Sequence, residues 1–267
     1  MFYEVNGTSY WVEESGEGEP IVFLHGFTSS SKTWETVLPY IRDDYRKIVV
    51  DLPGHGCTTS HNGMPDTMEA LCEELAQLLQ QLGVDRTSLV GYSMGGRTAL
   101  SFAVTHPELV DKLVLASASP GLDSTEEQLA RQAKDETLAQ FIEKEGIEAF
   151  VSYWENIPLF RTQKQLPPDV REKVRKERID QSAAGLAASL RSVGTGVQPS
   201  WWSKLGELEL PTCLIVGELD DKFVRINKRM LDELKQAEMH VVPGVGHAVH
   251  VETPRVFAEH VNKFMVQ

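Results

Sequence analysis

Short runs of apolar and β-branched residues alternate with helical patterns along most of the chain, and this alternation predicts an α/β fold. The apolar runs read as strands, most of them too apolar for an exposed face. They cover residues 21–24, 48–50, 88–90, 113–115, 214–216 and 240–242. Apolar positions at helical spacing predict helices over residues 68–82, 97–106, 228–236 and 254–264. The expected architecture is a mostly parallel twisted sheet with helices on both faces.

The first residues follow a different pattern. Residues 3–14 read as two strands joined at Asn6-Gly7, a pair of residues favoured in tight hairpin turns. The sequence therefore predicts an antiparallel hairpin at the edge of the sheet.

A long charged stretch interrupts the alternation. Residues 122–190 are rich in Glu, Lys, Gln and Ala and contain no convincing strand pattern, so they predict helices. We expect residues 121–196 to form a helical cap, inserted in a core domain made of residues 1–120 and 197–267. A cap over the strand ends can shape a pocket and exclude water, although a helical bundle without a functional role shows the same pattern.

Composition and charge narrow the possible partners. With 267 residues, 41% of them hydrophobic and 24% charged, the chain can bury a full core. Its 26 basic and 39 acidic residues give a net charge of −13. This field repels polyanions, so we expect no nucleic acid partner. Because no apolar run approaches the length of a membrane span, we also expect no membrane association.

The N-terminal residues and the cysteines indicate the compartment. Residues 1–7 lack the basic and apolar regions of a secretory signal, so we expect a cytoplasmic protein. Cys57, Cys72 and Cys213 show no CxxC spacing and predict free thiols.

The strongest chemical signal is Gly91-Tyr92-Ser93-Met94-Gly95, a G-x-S-x-G motif between a buried strand and a helical pattern. Glycines on both sides of the serine allow a sharp strand-to-helix turn, which exposes the Ser93 hydroxyl at the helix N-terminus. The motif predicts a nucleophile or base at Ser93.

A serine hydroxyl does not ionise alone at neutral pH, so the motif requires a histidine base oriented by a carboxylate. Asp220 follows a late strand and His247 follows the last strand, which gives the order Ser, Asp, His typical of this arrangement. We predict Ser93, Asp220 and His247 as the catalytic residues, with the adjacent Asp221 as a rival for the acid.

The segment Phe23-Leu24-His25-Gly26-Phe27 closes another buried strand. It is expected to place the backbone N–H of Phe27 beside that of Met94, so that the two form an oxyanion hole. His25 itself is interpreted as a structural residue of the turn rather than a base or ligand. The eight histidines include no HxH or HExxH segment, and we predict no metal site.

Arg97 lies four residues after Ser93, one helical turn further along the same face. A guanidinium buried there is costly without an anionic partner, and a substrate carboxylate bound bidentately is one such partner. An ion pair with a protein carboxylate is the alternative.

Several segments together resemble the α/β-hydrolase family over essentially the whole chain. They are Leu24-His25-Gly26, Asp51-Leu52-Pro53-Gly54-His55-Gly56, the Ser93 motif, Gly217-Glu218-Leu219-Asp220 and Gly246-His247. The resemblance implies the fold. It leaves the reaction open, because this fold supports esterases, lipases, dehalogenases, carbon–carbon hydrolases, lyases and non-catalytic receptors.

Further segments resemble one branch, the 2-succinyl-6-hydroxy-2,4-cyclohexadiene-1-carboxylate synthases of menaquinone biosynthesis. They are residues 91–97, 131–135, Trp154 with 158–160, 190–199, 220–223 and 246–250. This resemblance implies substrate-binding arginines at Arg97, Arg131 and Arg178, with Tyr92 and Trp154 as further pocket residues.

Three details of this transfer of substrate-binding residues from the family to this sequence stay open. Arg171 and Arg175 share the charged stretch of Arg178, so which of the three reaches the pocket is not decided. Gln128 stands where another arginine of the cap would be expected. Trp201 and Trp202 are interpreted as packing residues at the hinge of the cap.

The resemblance also implies a reaction. Such enzymes remove a ring proton from a multiply anionic enolpyruvyl cyclohexene and expel pyruvate, without a cofactor. In that reaction Ser93, deprotonated by His247, takes the proton. The Phe27 and Met94 N–H groups stabilise the developing negative charge.

Two other functions remain open. One is a serine hydrolase of an acidic ester, thioester or carbon–carbon bond substrate, and the other is a non-catalytic small-molecule receptor. We expect a monomer or a weak homo-oligomer.

Overall fold

The computed structural model describes residues 1–61 and 63–267. Its strands form one twisted sheet in the order β1-β2-β4-β3-β6-β7-β8-β9, with β5 paired to β2. The strands are β1 (Phe2–Val5), β2 (Thr8–Ser15), β3 (Glu19–Leu24), β4 (Tyr45–Val50), β5 (Thr59–Ser60), β6 (Thr87–Tyr92), β7 (Val110–Ala116), β8 (Thr212–Gly217) and β9 (Ala237–Val242). β3 and β4 and the strands from β6 to β9 run parallel, which confirms the predicted architecture.

Helices cover both faces of the sheet, as the buried apolar strands require. The helices are α1 (Met68–Gln81), α2 (Met94–Thr105), α3 (Thr125–Trp154), α4 (Pro168–Ile179), α5 (Ala183–Val193), α6 (Asp221–Glu233), α7 (Val249–Glu252) and α8 (Pro254–Met265). One apolar cluster joins the sheet to α1, α2 and α6, and a second joins it to α8. Across residues 1–61 and 63–267, no helix is both long and apolar enough to cross a membrane.

The predicted N-terminal hairpin is confirmed. β1 and β2 pair antiparallel, with Val5 opposite Thr8. Asn6 and Gly7 both have positive φ angles, 50° and 86°, which suit the two central positions of a tight hairpin turn.

The helical cap contains α3, α4 and α5 together with a 3-10 helix at Pro158–Gln165, and the structure shows no strand in residues 121–196. Ser124 starts α3 with a capping box in which Glu127 is the partner. Gly146 interrupts α3 with a φ of 81°. The cap has an apolar cluster of its own, mainly between α3 and α5. Its status as a separate domain stays a prediction.

Two predicted helices begin earlier than expected. α2 starts at Met94 rather than at residue 97, directly after Ser93. α6 starts at Asp221 rather than at residue 228. Its first two turns mix three apolar residues, Phe223, Val224 and Ile226, with four charged ones.

Candidate active site

Ser93 lies in the sharp turn between β6 and α2, with φ 50° and ψ −106°. This is a strained conformation for a residue with a side chain. The flanking glycines make the turn possible: a Cβ on Gly91 would collide with the Gly95 carbonyl, and a Cβ on Gly95 would collide with the Leu24 carbonyl. The turn therefore fixes the Ser93 hydroxyl at the carboxyl end of the sheet.

Ser93, His247 and Asp220 form a chain of hydrogen bonds. The Ser93 hydroxyl donates to His247 Nε2 at 3.1 Å, and His247 Nδ1–H donates to Asp220 Oδ2 at 2.6 Å. Asp220 is buried immediately before α6, whereas Asp221 is exposed on the first turn of that helix. The structure thus brings the predicted serine and histidine together with Asp220 and not with its rival.

Aromatic rings hold the His247 imidazole, which is 2% exposed. The Phe223 ring centre lies 4.6 Å from that of His247, and the Tyr92 ring centre lies 5.3 Å away. Glu252 accepts hydrogen bonds from Gly246 N–H at 3.0 Å and from the Thr162 hydroxyl at 2.8 Å, tying the His247 loop to the cap. Burial raises the pKa of Glu252.

The loop after β3 approaches Ser93 closely, since a Cβ on Gly26 would lie 3.6 Å from the Cβ of Ser93. The next residue, Phe27, lines the same cavity as Ser93 and Met94. Met94 is the first residue of α2, so its N–H has no acceptor within the helix. This geometry suits two N–H donors aimed at one oxygen atom beside Ser93.

His25 braces that loop. Its Nε2 accepts a hydrogen bond from Leu52 N–H at 2.9 Å, and Nδ1–H donates to the Gly26 carbonyl at 2.8 Å. Burial lowers the pKa of His25 to about 4, so the ring is neutral near pH 7. The structural interpretation of His25 is confirmed.

A cavity of about 520 Å³ opens above Ser93 between the sheet and the cap. This size is typical of small-molecule sites. Of the predicted site residues, the structure places these on its lining: Phe27, Ser93, Met94, Arg97, Arg131, Trp154 and His247. Asp220 lies behind His247.

Arg97 is buried in this cavity, with only 8% of its surface exposed. Its guanidinium donates to the Val193 carbonyl at 2.9 Å and to Gln198 Oε1 at 2.6 Å, and both acceptors are neutral. No carboxylate of the described residues lies within ion-pair distance of it. Burial is the main reason that the pKa of Arg97 is lowered to about 10, so the side chain still carries its charge at neutral pH.

Arg131 reaches the cavity from α3, and its Nε–H donates to Asp135 Oδ1 at 2.8 Å. It stands close enough to Arg97 to lower the pKa of that residue further. Trp154 ends α3, and its ring meets the Phe27 ring edge-on at 5.6 Å. Both residues line the cavity from the cap. Glu127 of the cap lines it as well, whereas Gln128, where another arginine would be expected, does not.

Arg178 and Tyr92 are placed elsewhere. Arg178 donates to Gln163 Oε1 at 3.0 Å and lies 4.6 Å from the centre of the Phe160 ring. It lines a separate small cavity, together with Tyr92. Phe27 borders both cavities, so its ring forms part of the wall between them. Arg171 and Arg175 line a third depression with Arg178, outside the Ser93 cavity.

Comparisons with known proteins establish the family. The family described as alpha/beta hydrolase fold matches residues 19–254. The chain is 44% identical over 263 residues, 97% of this chain and 96% of the other, to a Bacillus subtilis (strain 168) protein that is provisionally named 2-succinyl-6-hydroxy-2,4-cyclohexadiene-1-carboxylate synthase. It is 34% identical over 236 residues, 88% of each chain, to the synthase of that name from Escherichia coli O1:K1 / APEC. The structure of MenH from S. aureus superposes with a TM-score of 0.92 and 35% identity, over 96% of this chain and 97% of that one.

The chain belongs to the α/β-hydrolase family. Within that family it belongs to the branch of the 2-succinyl-6-hydroxy-2,4-cyclohexadiene-1-carboxylate synthases. Both resemblances seen in the sequence are therefore confirmed.

Sequence reasoning missed one wall of the cavity of this α/β-hydrolase. Lys222, Arg225 and Arg229 line it from α6, and Trp202 lies beside them. The signal was present, since the three basic residues follow one another at helical spacing. Because the apolar pattern predicts a helix only from residue 228, Lys222 and Arg225 fall outside the predicted helix. Trp202 packs at the hinge as expected, donating to the Gly121 carbonyl at 3.1 Å, and it also lines the cavity.

The three cysteines are free, as predicted. Burial raises the pKa of the Cys72 thiol to about 12 and also raises those of Cys57 and Cys213, which makes all three poor nucleophiles. Cys213 lies near Glu238 and His240 on β8 and β9, and none of these three residues lines the Ser93 cavity.

Proposed function

We propose that this protein is a lyase that releases pyruvate from 2-succinyl-5-enolpyruvyl-6-hydroxy-3-cyclohexene-1-carboxylate in menaquinone biosynthesis. The product is 2-succinyl-6-hydroxy-2,4-cyclohexadiene-1-carboxylate, the compound in the names of its relatives. The observation that carries the proposal is the buried Arg97, which lies in the Ser93 cavity with neutral hydrogen-bond partners only. A carboxylate of the substrate supplies the missing negative charge.

Ser93 acts as the base in this proposal. His247 Nε2 accepts the hydroxyl proton, and Asp220 stabilises the resulting imidazolium through the hydrogen bond at Nδ1. The Ser93 oxygen then takes the proton from ring carbon 2, which is acidified by the neighbouring succinyl carbonyl. Burial of the His247 ring keeps this relay free of bulk water.

Electrons then move through the ring. Loss of the proton at carbon 2 gives an enolate, and its collapse forms the double bond between carbons 2 and 3. The ring double bond shifts to carbons 4 and 5, and the bond between carbon 5 and the enolpyruvyl oxygen breaks. The group departs as the enolate of pyruvate and takes up the one proton that the His247 imidazolium holds, so the step balances and no water is consumed.

Charge stabilisation comes from two places. The N–H groups of Phe27 and Met94 donate to the succinyl oxygen, where negative charge develops. Arg97 and Arg131 bind carboxylates and make the cavity positive inside a protein whose net charge is −13. Trp154 packs against the ring of the substrate.

Hydrolysis is the second candidate, and the Ser93–His247–Asp220 geometry is what favours it. The same three groups can form and hydrolyse an acyl-enzyme on an acidic ester, thioester or carbon–carbon bond substrate. Elimination is preferred because the relatives carry the name of the elimination product, while the buried Arg97 argues only against neutral esters. A receptor without catalysis has no use for the hydrogen bond between Ser93 and His247.

The test is pyruvate release from the freshly generated substrate, followed with lactate dehydrogenase and by ultraviolet absorbance of the conjugated diene. Wild-type protein is compared with Ser93→Ala, with the exposed control Ser203→Ala and with no enzyme. We expect wild type and Ser203→Ala to release pyruvate equally fast and Ser93→Ala to match the spontaneous rate. Release by Ser93→Ala at the wild-type rate contradicts the mechanism.

The cellular setting is part of the same proposal. We place the enzyme in the cytoplasm, as a monomer or weak homo-oligomer that needs no cofactor or metal. Its three reduced thiols agree with a reducing compartment.

A further inference from the structure

A row of cations on α6 faces the Ser93 cavity. Lys222, Arg225 and Arg229 fall within about 60° of one another around the helix, because three and seven residues each come close to whole turns. All three line the cavity, on the α6 side, while Arg131 reaches it from the cap. The cavity thus has cations on two of its walls.

The three α6 cations differ in what they contact. Arg229 forms an ion pair with Asp123 and stacks on Trp202, with its guanidinium 3.7 Å from the ring centre. Lys222 and Arg225 have no ion pair with any carboxylate in residues 1–61 and 63–267. Arg229 is therefore a fixed part of the wall, whereas Lys222 and Arg225 have charge to offer a ligand.

Lys222 is also close to the catalytic chain. Its ammonium lies 5.4 Å from the centre of the Phe223 ring, which in turn contacts the His247 ring at 4.6 Å. Partial desolvation and the nearby Arg131 lower the pKa of Lys222. Asp221, the carboxylate nearest in sequence, makes no ion pair with Lys222, and Asp220 is already bound by His247.

The cations of the cavity lie at different depths. Arg97 is buried beside Ser93, while Arg225 is exposed to solvent. In the proposed reaction the ring and succinyl group stay beside Ser93 and the N–H donors until the bond to pyruvate breaks. The pyruvyl fragment must then leave towards solvent, past the exposed cations.

We propose that Lys222 and Arg225 form a second anion subsite, which binds the carboxylate of the pyruvyl leaving group. This inference rests on the proposed function. The substrate carries three carboxylates, on the ring, on the succinyl chain and on the enolpyruvyl group. Arg97 provides for one of them, and Arg131, which bonds Asp135 through Nε and keeps its Nη groups for a ligand, provides for a second. Arg178 lines a different cavity, so the third falls to α6.

The experiment measures the KM for substrate, kcat and the inhibition constant of added pyruvate. The variants are Lys222→Gln, Arg225→Gln and the double variant, with Lys222→Arg as the conservative rescue. Lys228→Gln is the matched control, because it removes an exposed cation from the same helix outside the cavity lining.

We expect Lys222→Gln to raise the KM and the pyruvate inhibition constant by roughly tenfold each, as for loss of one charge-assisted hydrogen bond. The double variant raises both further, while Lys222→Arg and Lys228→Gln stay within about twofold of wild type. Because the subsite holds a carboxylate and not the reacting atoms, kcat changes less than about threefold.

Two results overturn the inference. One is a double variant whose KM and pyruvate inhibition constant both stay within twofold of the wild-type values. The other is a higher KM with unchanged pyruvate inhibition, because the cations then hold a different carboxylate. Failure of the proposed function looks different: wild type itself releases no pyruvate. In that case NMR of added pyruvate still tests the subsite directly. Wild-type protein should broaden the pyruvate methyl resonance, and the double variant should not.

Discussion

The floor and the roof of the cavity are built in different ways. On the floor, Ser93, Asp220 and His247 each follow a strand end, and backbone turns fix their positions. On the roof, Arg131 and Trp154 project from a long helix of the cap. The catalytic residues are thus positioned by the sheet, whereas the share of recognition that Arg131 and Trp154 supply depends on how the cap docks.

Polar contacts of α4, and of Gln181 just after it, help to dock the cap. Glu177 accepts hydrogen bonds from Ser30 N–H at 2.8 Å and from the Ser30 hydroxyl at 3.2 Å. Gln181 accepts one from Gly56 N–H at 2.9 Å, and Lys173 pairs with Glu35 at 2.8 Å. Because Ser30 follows the loop that carries Phe27, these contacts couple the cap to the loop whose Phe27 N–H we propose as an oxyanion donor.

The largest effect is expected on the floor. His247→Ala removes the acceptor of the Ser93 proton, so kcat should fall by about a thousandfold or more while the KM changes little. Steady-state pyruvate release measures both constants. Circular dichroism must show the native fold, and a KM raised as much as kcat is lowered contradicts a purely chemical role for the floor.

Arg97→Ala tests recognition by the buried cation. We expect kcat/KM to fall roughly a hundredfold, the size of losing a charge-assisted carboxylate contact of a few kcal/mol. The exposed Arg255→Ala serves as the control for removing a positive charge. An effect below threefold at Arg97 refutes its role in binding a carboxylate.

The family resemblance and the structure point in different directions for Arg178. The resemblance implies contact with the substrate, and the structure places Arg178 outside the Ser93 cavity. Since it lines a separate cavity and stacks on Phe160, we expect Arg178→Gln to change kcat/KM by less than about threefold. The thermal stability of the variant should fall instead, because it loses the cation–π contact with Phe160 and the hydrogen bond to Gln163. A hundredfold loss of kcat/KM without loss of stability shows that Arg178 reaches the substrate.

The smallest effect concerns how pH acts on the docking of the cap. Burial raises the pKa of Glu177 to about 7, above its ordinary value of 4.5. The folded state therefore holds a proton that the unfolded state releases between pH 4.5 and 7. The contribution of this proton to the free energy of unfolding is fully present below pH 4.5 and is lost as the pH rises through 7.

Glu177→Gln keeps a neutral acceptor at every pH. Relative to this variant, wild type should lose on the order of 1 kcal/mol of unfolding free energy between pH 4.5 and 8. Urea unfolding at both pH values measures the difference. A stability difference between the two proteins that does not change with pH excludes Glu177 as the titrating group.

The sequence was most informative where the backbone dictates the structure. The G-x-S-x-G motif, the hairpin at Asn6-Gly7 and the segment before His247 have local requirements that short motifs reveal. The α6 wall was missed because the helix was predicted to begin only at residue 228 and not at Asp221. The placement of Arg178 depends on how α4 packs against Phe160, a tertiary contact that spacing along the chain does not encode.

The central claim, that these residues perform elimination rather than hydrolysis, is tested most directly by comparing both reactions in one preparation. The quantities are kcat/KM for pyruvate release from the enolpyruvyl substrate and kcat/KM for hydrolysis of a short p-nitrophenyl ester, each with Ser93→Ala as background. We expect elimination to exceed ester hydrolysis by about a thousandfold or more. Ester hydrolysis that depends on Ser93, together with pyruvate release at only the spontaneous rate, contradicts it.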